Sequence, residues 1–202
     1  MSEKDRTKAI EDMNAQIKET FKDGTAKIGD EVYNIKFDIT AEYNNDIETK
    51  DLGSGENIMV VDGKSERGET QSSNGKANCL SIVGKMDLQS IHEIGHMIGF
   101  RDRYSDYENP ASRTNPKEWR SIAHDGYDDD VMGAESKNLN QSHYDDVVKY
   151  ASFKLITAQN HLLPENRTNK TGMLGAIDSN TKSAVSPERI PKGWQPRQAQ
   201  IK

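Results

Sequence analysis

The stretch from His92 to Asp102 combines the residue types of a catalytic metal site at the spacing that such a site needs. His92 and His96 are four residues apart, which on a helix places both imidazoles on one face, so that they can bind the same metal ion. Glu93 follows the first histidine and can take a proton from a water molecule beside the metal. These residues predict a zinc ion with a general base next to it.

The end of the same stretch offers a third ligand. Gly99 can adopt the left-handed conformation that ends a helix and turns the chain back. Asp102 would then approach the two histidines and leave the fourth zinc position open to water, as in catalytic rather than structural zinc sites. Glu108 and His124 are alternative third ligands. Glu108 would resemble the third ligand of thermolysin-like enzymes, but there the glutamate lies on a second helix, of which this loop gives no sign. His124 is more typical of a loop histidine.

Composition and charge narrow the class of protein. A length of 202 residues suits one domain. The net charge of -6 argues against a nucleic-acid-binding protein, because such proteins need clustered cations. No apolar run is long enough to span a membrane. The charged N-terminus lacks the apolar stretch of a signal peptide, which predicts a protein that stays where it is made, a mature fragment or an excised domain.

Cys79 is the only cysteine, so the chain cannot form an internal disulfide or a cysteine-built zinc cluster. The favoured interpretation is a half-buried cysteine on a strand. The alternative is a thiol that blocks the zinc in a latent form of the protein.

Apolar periodicity predicts the elements that precede the metal-binding stretch. Residues 5–22 have apolar side chains at spacings of three and four, which predicts an amphipathic helix. Residues 32–43 alternate between apolar and mostly polar residues, which predicts a long strand with one buried face. The apolar run 58–61 predicts a buried central strand and the run 79–83 a shorter one, whereas the polar stretch 63–77 predicts a loop.

The strand predicted at 79–83 leaves two arrangements open. An exposed edge at this position could hold a substrate peptide by strand addition. Alternatively, the strand is paired on both sides. The sequence does not decide between these arrangements.

The remaining elements surround and follow the metal-binding stretch. Asp87 is a suitable N-cap for a helix that runs to about Ile98. Residues 101–130 have no convincing period, which predicts a long functional loop. Its acidic run 125–130 lacks the spacing of an EF-hand, so a solvated acidic turn is favoured over a Ca²⁺ site. Residues 142–157 predict a last amphipathic helix.

The pattern His92-Glu93-x-x-His96-x-x-Gly99-x-x-Asp102 resembles the extended zinc motif of the metzincin metallopeptidases. Most metzincins have a third histidine where this chain has the aspartate. The aspartate variant, followed by Tyr104, resembles the snapalysin-type small neutral proteases.

Metzincins also have a methionine turn beneath the zinc, and Val131-Met132-Gly133 lies at a suitable distance downstream. The resemblance implies an α+β, metzincin-like fold. Its small twisted mixed sheet would pack on helices, with a C-terminal helix after the methionine turn. We expect this domain to comprise residues 1–163, followed by a loosely ordered tail at 164–202 of polar composition.

The chain departs from the metzincin pattern in two respects. Ala134 stands two residues after Met132, where some metzincins have a tyrosine, so stabilisation of the transition state must come from elsewhere. Tyr127 is a weak candidate, and Tyr104 could orient Asp102, line the cleft or be a surface tyrosine. Secreted relatives have signal and pro-segments, which this chain lacks. A leaderless metzincin-like domain resembles the metallopeptidase toxin domains of Rhs-type polymorphic toxins.

The resemblance implies a zinc-dependent endopeptidase, secreted or delivered to a target cell. Zinc would be held by His92, His96 and Asp102, with Glu93 as the general base. The expected partners are a protein or peptide substrate and, for a toxin, a cognate inhibitor or immunity protein, but neither nucleic acid nor membrane. Two alternatives remain. One is a binding module that kept the fold and lost activity, which would have no need of Glu93. The other is a zinc hydrolase with a non-peptide substrate.

Overall fold

The computed structural model describes residues 2–44, 46–47, 52, 56–65, 68–72, 79–114, 117–134, 136–148 and 183–197. The fold is α+β. The helices are α1 Glu3–Thr20, α2 Leu88–Met97, α3 Val131–Ala134 and α4, residues 141–148. The strands are β1 Gly24–Ile28, β2 Glu31–Ile35, β3 Ile58–Val61, β4 Glu69–Ser72, β5 Cys79–Val83, β6 Tyr104–Glu108, β7 Trp119–Ala123 and β8 Gln195–Pro196. Among the described residues no helix has both the length and the apolar character needed to cross a membrane.

Helix α1 confirms the predicted N-terminal amphipathic helix. The Ser2 side chain caps it by accepting a hydrogen bond from the backbone N–H of Asp5. Its buried face carries Met13 and Ile17, and Phe21 continues this face just past the end of the helix. These residues pack with the buried side of α2 and with α3 in one apolar cluster. The cluster fixes the position of α2, because burial of this apolar surface is the main stabilising contribution.

The strand predicted at 32–43 is only partly a strand. Its first part is β2, which forms an antiparallel hairpin with β1, a strand that the sequence did not predict. The described residues 36–44 belong to no strand, although Phe37, Ile39 and Ala41 keep the predicted alternation and pack against the core. The Asn14 side chain takes the place of a strand partner: it donates to the carbonyl of Ala41 at 2.9 Å and accepts from its N–H at 2.8 Å.

A mixed three-stranded sheet in the order β3-β5-β4 precedes α2. Strand β5 is parallel to β3 and antiparallel to β4, so it is central and paired on both sides. This excludes β5 as an exposed edge for a substrate peptide. The prediction that 58–61 is the buried central strand is wrong: among the described strands β3 lies at the edge of its sheet, and Val60 and Val61 are 43% and 44% exposed. An apolar run alone does not distinguish the two positions.

Strand β4 lies within the stretch 63–77, which the sequence predicted to be a loop. Its residues Glu69–Ser72 are polar and show no apolar alternation. The strand forms because its backbone pairs with β5 in a defined register, in which Thr70 faces Ser81. Periodicity in a sequence reflects which side chains are buried. A polar strand that is stabilised by backbone hydrogen bonds to its neighbour therefore cannot be recognised from periodicity.

A third sheet, in the order β7-β6-β8, replaces the loop predicted at 101–130. Strands β6 and β7 form an antiparallel hairpin, and β8 pairs with the other side of β6. Residues 183–197 therefore pack on the domain, with Val185 buried, and the prediction of a loosely ordered tail does not hold for them. The boundary predicted at residue 163 lies outside the described residues and remains a prediction.

Helix α4 begins at residue 141, close to the predicted start at 142. Tyr144 and Val148 are buried on its apolar face and pack against the β1–β2 hairpin. The Tyr144 hydroxyl donates to the carbonyl of Lys22 at 2.9 Å, which ties α4 to the end of α1. The predicted continuation from 149 to 157 lies outside the described residues.

Candidate metal centre

Helix α2 presents the candidate metal-binding residues, and its two ends are built as the sequence predicted. Asp87 caps the first turn by accepting a hydrogen bond from Gln89 N–H at 3.0 Å. At the other end Gly99 has a φ of 101°, in the left-handed region that favours glycine. The N–H of Phe100 donates to the carbonyl of Gly95 at 2.9 Å and closes the helix. The chain then turns back toward the histidines.

Three side chains converge at this turn, as the spacing predicted. The Oδ1 atom of Asp102 lies 3.1 Å from Nε2 of His92 and 3.2 Å from Nε2 of His96. Ligand atoms about 2.1 Å from a tetrahedral metal ion are about 3.4 Å apart. The two distances to Asp102 are close to this value, and all three ligand atoms lie within 4.8 Å of one another, so the three residues could hold a metal ion. The Asp102 side chain is 45% exposed, which leaves this side of the group open to solvent.

Backbone carbonyls fix the orientation of both imidazoles. His92 Nδ1 lies 2.8 Å from the carbonyl oxygen of Val131, and His96 Nδ1 lies 2.8 Å from that of Phe100. A carbonyl oxygen only accepts, so Nδ1 carries the proton in both rings. In the neutral imidazole Nε2 is then the free metal-binding atom. Such partners on the far nitrogen are typical of metal-binding histidines.

Without a metal, an imidazole that carries a proton on Nε2 as well as on Nδ1 donates it to Asp102, so charge complementarity holds the group together. Burial raises the pKa of the Asp102 carboxyl, but hydrogen bonds with His92 and His96 outweigh it and hold this pKa well below its usual range. Burial likewise lowers the pKa of His96, and the hydrogen bond and charge of Asp102 outweigh it, so this pKa is raised. The aspartate is therefore ready to bind a cation at neutral pH.

Glu93, the predicted general base, is 4% exposed and lies against strand β4. The Thr70 hydroxyl donates a hydrogen bond to its Oε2 atom. The Cα of Gly68 lies so close that a Cβ at this position would collide with Oε1. Neither residue was predicted from the sequence, because both fall in the stretch interpreted as a loop. No periodic signal could have found them.

Met132, which the metzincin resemblance places in a methionine turn, lies in the single turn of helix α3 and is completely buried. Its sulfur lies under α2 at Gly95, where a Cβ would collide with it. The turn also contacts the ligands through its backbone. The carbonyl of Val131 accepts from His92, and the carbonyl of Met132 accepts from the N–H of Arg103, the neighbour of Asp102, at 2.8 Å.

Two buried residues, Asp130 and His143, hold this turn in place. The sequence assigned Asp130 to a solvated acidic turn, which its burial contradicts, and did not single out His143. Asp130 Oδ1 accepts from the N–H of Met132 at 2.8 Å, and Nε2 of His143 lies 3.0 Å from the same oxygen. The aspartate precedes the methionine motif directly and His143 lies on the predicted last helix. The one signal in the sequence was that His143 is a polar residue on the predicted buried face of the last helix.

The alternative third ligands lie elsewhere. Glu108 accepts a hydrogen bond from the Gln195 side chain at 2.9 Å. His124 lies between two hydroxyls, 2.9 Å from Ser105 Oγ and 2.7 Å from Ser183 Oγ. Among the described residues, the group formed by His92, His96 and Asp102 is the one that could hold a metal ion.

The other features singled out in the sequence are two tyrosines, the acidic turn and the cysteine. The Tyr104 ring lies 5.8 Å from the His92 ring, beside the ligand group. The Tyr127 hydroxyl lies 2.7 Å from Ser142 Oγ. In the acidic turn, Asp125 and Asp128 pair with Arg189, which supports a charged turn rather than a Ca²⁺ site. The side chain of Cys79 lies outside the described residues, so both interpretations of it stay predictions.

Comparisons with protein-family models, with curated proteins and with solved structures gave no match. The interpretation of this centre therefore depends on its own geometry and on the spacing of its residues. These describe two histidines and an aspartate arranged to hold a metal ion, with a buried glutamate beside them.

Proposed function

We propose that this protein is a zinc-dependent endopeptidase of the metzincin type. The observation that carries the proposal is the convergence of His92, His96 and Asp102, whose ligand atoms all lie within 4.8 Å of one another. Both Nδ1 atoms donate to backbone carbonyls, so both Nε2 atoms face Asp102. Two imidazoles and one carboxylate are a donor set that suits zinc. Three protein ligands leave a fourth position, as in catalytic rather than structural zinc sites.

Zinc bound at this group would lower the pKa of a nearby water and polarise a substrate carbonyl. Glu93 follows His92 on α2 and takes the proton from the attacking water. Its carboxyl then passes this proton to the leaving amine of the cleaved peptide bond. Burial of Glu93 suits this role, because a proton held by a buried acid is passed to the product rather than exchanged with solvent.

Hydrolysis of peptide bonds, rather than of another substrate, is supported by the resemblance to the metzincin motif. The buried Met132 beneath α2 and the left-handed Gly99 at its end occupy the positions that this motif implies. The presence of Glu93, with its carboxylate bound by a hydroxyl donor, argues against a binding module, because such a module has no use for a general base.

A digest of casein by the zinc-loaded wild type and by Glu93→Gln tests the proposal. We expect the wild type to cleave casein and the variant to lose at least about 100-fold in rate, the typical contribution of a general base. Both proteins should bind one equivalent of zinc, because Glu93 is not a ligand. Glu188→Gln, on the C-terminal 3₁₀ turn, is the matched control and should keep full activity.

Zinc content and cleavage together separate the alternatives. If wild type binds zinc at this centre but cleaves no protein, the endopeptidase proposal is wrong. Equal cleavage by wild type and Glu93→Gln would refute the role of Glu93. Loss of zinc from His92→Ala, with retention in Glu93→Gln, would assign the metal to the proposed ligands.

A further inference from the structure

The carboxylate of Glu93 is held from outside its own helix, by strand β4. The Thr70 hydroxyl donates to Oε2 of Glu93, and the backbone at Gly68 lies against Oε1. The glutamate is almost completely buried, at 4% exposure. A buried carboxylate is stable only if it has hydrogen-bond donors, so the identity of these donors determines its orientation.

Thr70 has a donor of its own in Ser81. The two residues are direct cross-strand partners in the antiparallel β4–β5 pair, and their hydroxyl oxygens are 2.5 Å apart. A hydroxyl has a single proton to donate. Since Thr70 donates to Glu93, it must accept from Ser81, which is completely buried. The three side chains therefore form a directional chain from Ser81 through Thr70 to Glu93.

We propose that Thr70 is a positioning residue for the general base, with Ser81 as the donor that orients its hydroxyl. The inference rests on the proposed function, because it assigns a role relative to Glu93 as the base. With Oε2 engaged by Thr70, Oε1 is the oxygen left to accept the proton of the attacking water. Gly68 leaves Oε1 uncovered by any side chain, since a Cβ at this position would collide with it.

The register of the sheet makes this assignment specific. Thr70 reaches Glu93 because β4 is paired with β5 so that Thr70 faces Ser81, while α2 packs against both strands. A shift of one residue would turn the hydroxyl to the other face of the sheet. Charge-assisted hydrogen bonds are about twice as strong as neutral ones, and chains of them reinforce one another.

The test compares Thr70→Val, which removes the hydroxyl and keeps the shape, with Thr70→Ser, which keeps the hydroxyl. Thr25→Val, an exposed position on β1, controls for the substitution itself. We expect Thr70→Val to lower kcat on a fluorogenic peptide by about 10- to 100-fold, with unchanged KM and zinc content. Thr70→Ser should restore most of kcat. Ser81→Ala should reduce kcat less than Thr70→Val, because Thr70 can still donate to Glu93.

Crystal structures of the zinc-loaded wild type and Thr70→Val supply a readout that does not depend on activity. The proposal predicts that the Glu93 carboxylate leaves its wild-type position in the valine variant. It is overturned if Glu93 keeps its position there, or if kcat is unaffected while the zinc content is normal. Equal losses in the valine and serine variants would also overturn it, because they would indicate a packing role.

These readouts distinguish failure of this inference from failure of the proposed function. If the zinc-loaded wild type cleaves neither casein nor peptides, the endopeptidase proposal fails. The position of Glu93 in the two crystal structures would still decide whether Thr70 orients it. If Thr70→Val does not fold, Thr70→Ala and the Ser81→Ala variant provide the same comparison.

Discussion

At the residue scale, the candidate centre depends on which nitrogen of each imidazole faces the metal position. The spacing of His92 and His96 puts both rings on one face of a helix, but it does not choose between Nδ1 and Nε2. The carbonyls of Val131 and Phe100 make this choice, because each accepts a proton from Nδ1 at 2.8 Å. For His96 the choice is made within the motif, whereas for His92 it depends on a residue 39 positions away.

Zinc binding should weaken as the pH falls, with an apparent pKa above 6.5. Asp102 raises the pKa of His96 above this ordinary value despite the opposing effect of burial. A proton and zinc compete for the same Nε2 atom, so affinity is lost as the pH drops through the raised pKa, by about tenfold per unit below it. Isothermal titration calorimetry across this range would measure the change.

Asp102→Asn provides the comparison for this pH dependence. Removal of the negative charge should lower the pKa of His96, so that the loss of zinc affinity begins at a lower pH. Affinity at neutral pH should also be weaker than in the wild type, because a carboxylate ligand is lost. A wild-type affinity that does not change with pH would contradict the argument.

At the element scale, helix α3 supports the candidate metal centre through two of its backbone carbonyls. It presents the Val131 carbonyl to His92 and the Met132 carbonyl to the N–H of Arg103, beside Asp102. Two of the three ligands are therefore connected to the same short helix. This explains why the turn carries completely buried side chains and is held by Asp130 beneath it.

Gly133→Ala should disturb this turn. A Cβ at residue 133 would collide with the backbone carbonyl of Tyr127, which cannot move as a side-chain tip could. We expect a loss of about 1–3 kcal/mol in the free energy of unfolding, as for other overpacked sites, together with weaker zinc binding. Urea unfolding of the metal-free protein and zinc titration would measure the two effects.

Ala134→Ser, at an exposed position in the same turn, is the matched control and should leave both quantities unchanged. If Gly133→Ala is as stable as the wild type and binds zinc equally well, the close packing of α3 against Tyr127 is not needed for the centre.

At the scale of the whole molecule, one buried ion pair connects the metal-binding turn, the last described helix and the C-terminal segment. Arg103 follows Asp102 directly, and its guanidinium lies 2.9 Å from the carboxylate of Asp146 on α4, with both side chains almost fully buried. The same guanidinium donates to Ser183 at 3.2 Å and lies over the ring of Tyr127. Segments far apart in sequence thus meet beside the centre.

Asp146→Ala should therefore be strongly destabilising. Removing one partner of a buried ion pair costs about 3–5 kcal/mol, because the other charge loses its counter-charge. For a protein of this size this lowers the melting temperature by about 6–20 °C. Asp145→Ala, the half-buried neighbour on the same helix, should lower it much less. Thermal unfolding followed by circular dichroism would compare the two, and similar melting temperatures would contradict the argument.

The amino-acid sequence by itself determined those features of the protein that depend on neighbouring residues. Helices α1 and α2 follow from apolar spacing, the N-cap from Asp87 and the helix end from Gly99, because each depends on residues within a few positions. The approach of Asp102 to both histidines was also predictable, since a helix turn and a tight reversal fix the distance. The polar β4 and the β6–β7 hairpin were missed because backbone pairing holds these strands, while their side chains lack the apolar alternation that marks a strand in a sequence.

The tertiary structure decided what surrounds the motif. Three features depend on contacts between separate segments: the central position of β5, the orientation of the His92 ring and the contacts of the Glu93 carboxylate. Thr70, Gly68 and Asp130 show no pattern in the sequence that marks them as part of the centre. Their roles arise only when the β4–β5 register and the packing of α2 on α3 bring them there. A local motif can specify ligand types, but only packing specifies the orientation of those ligands.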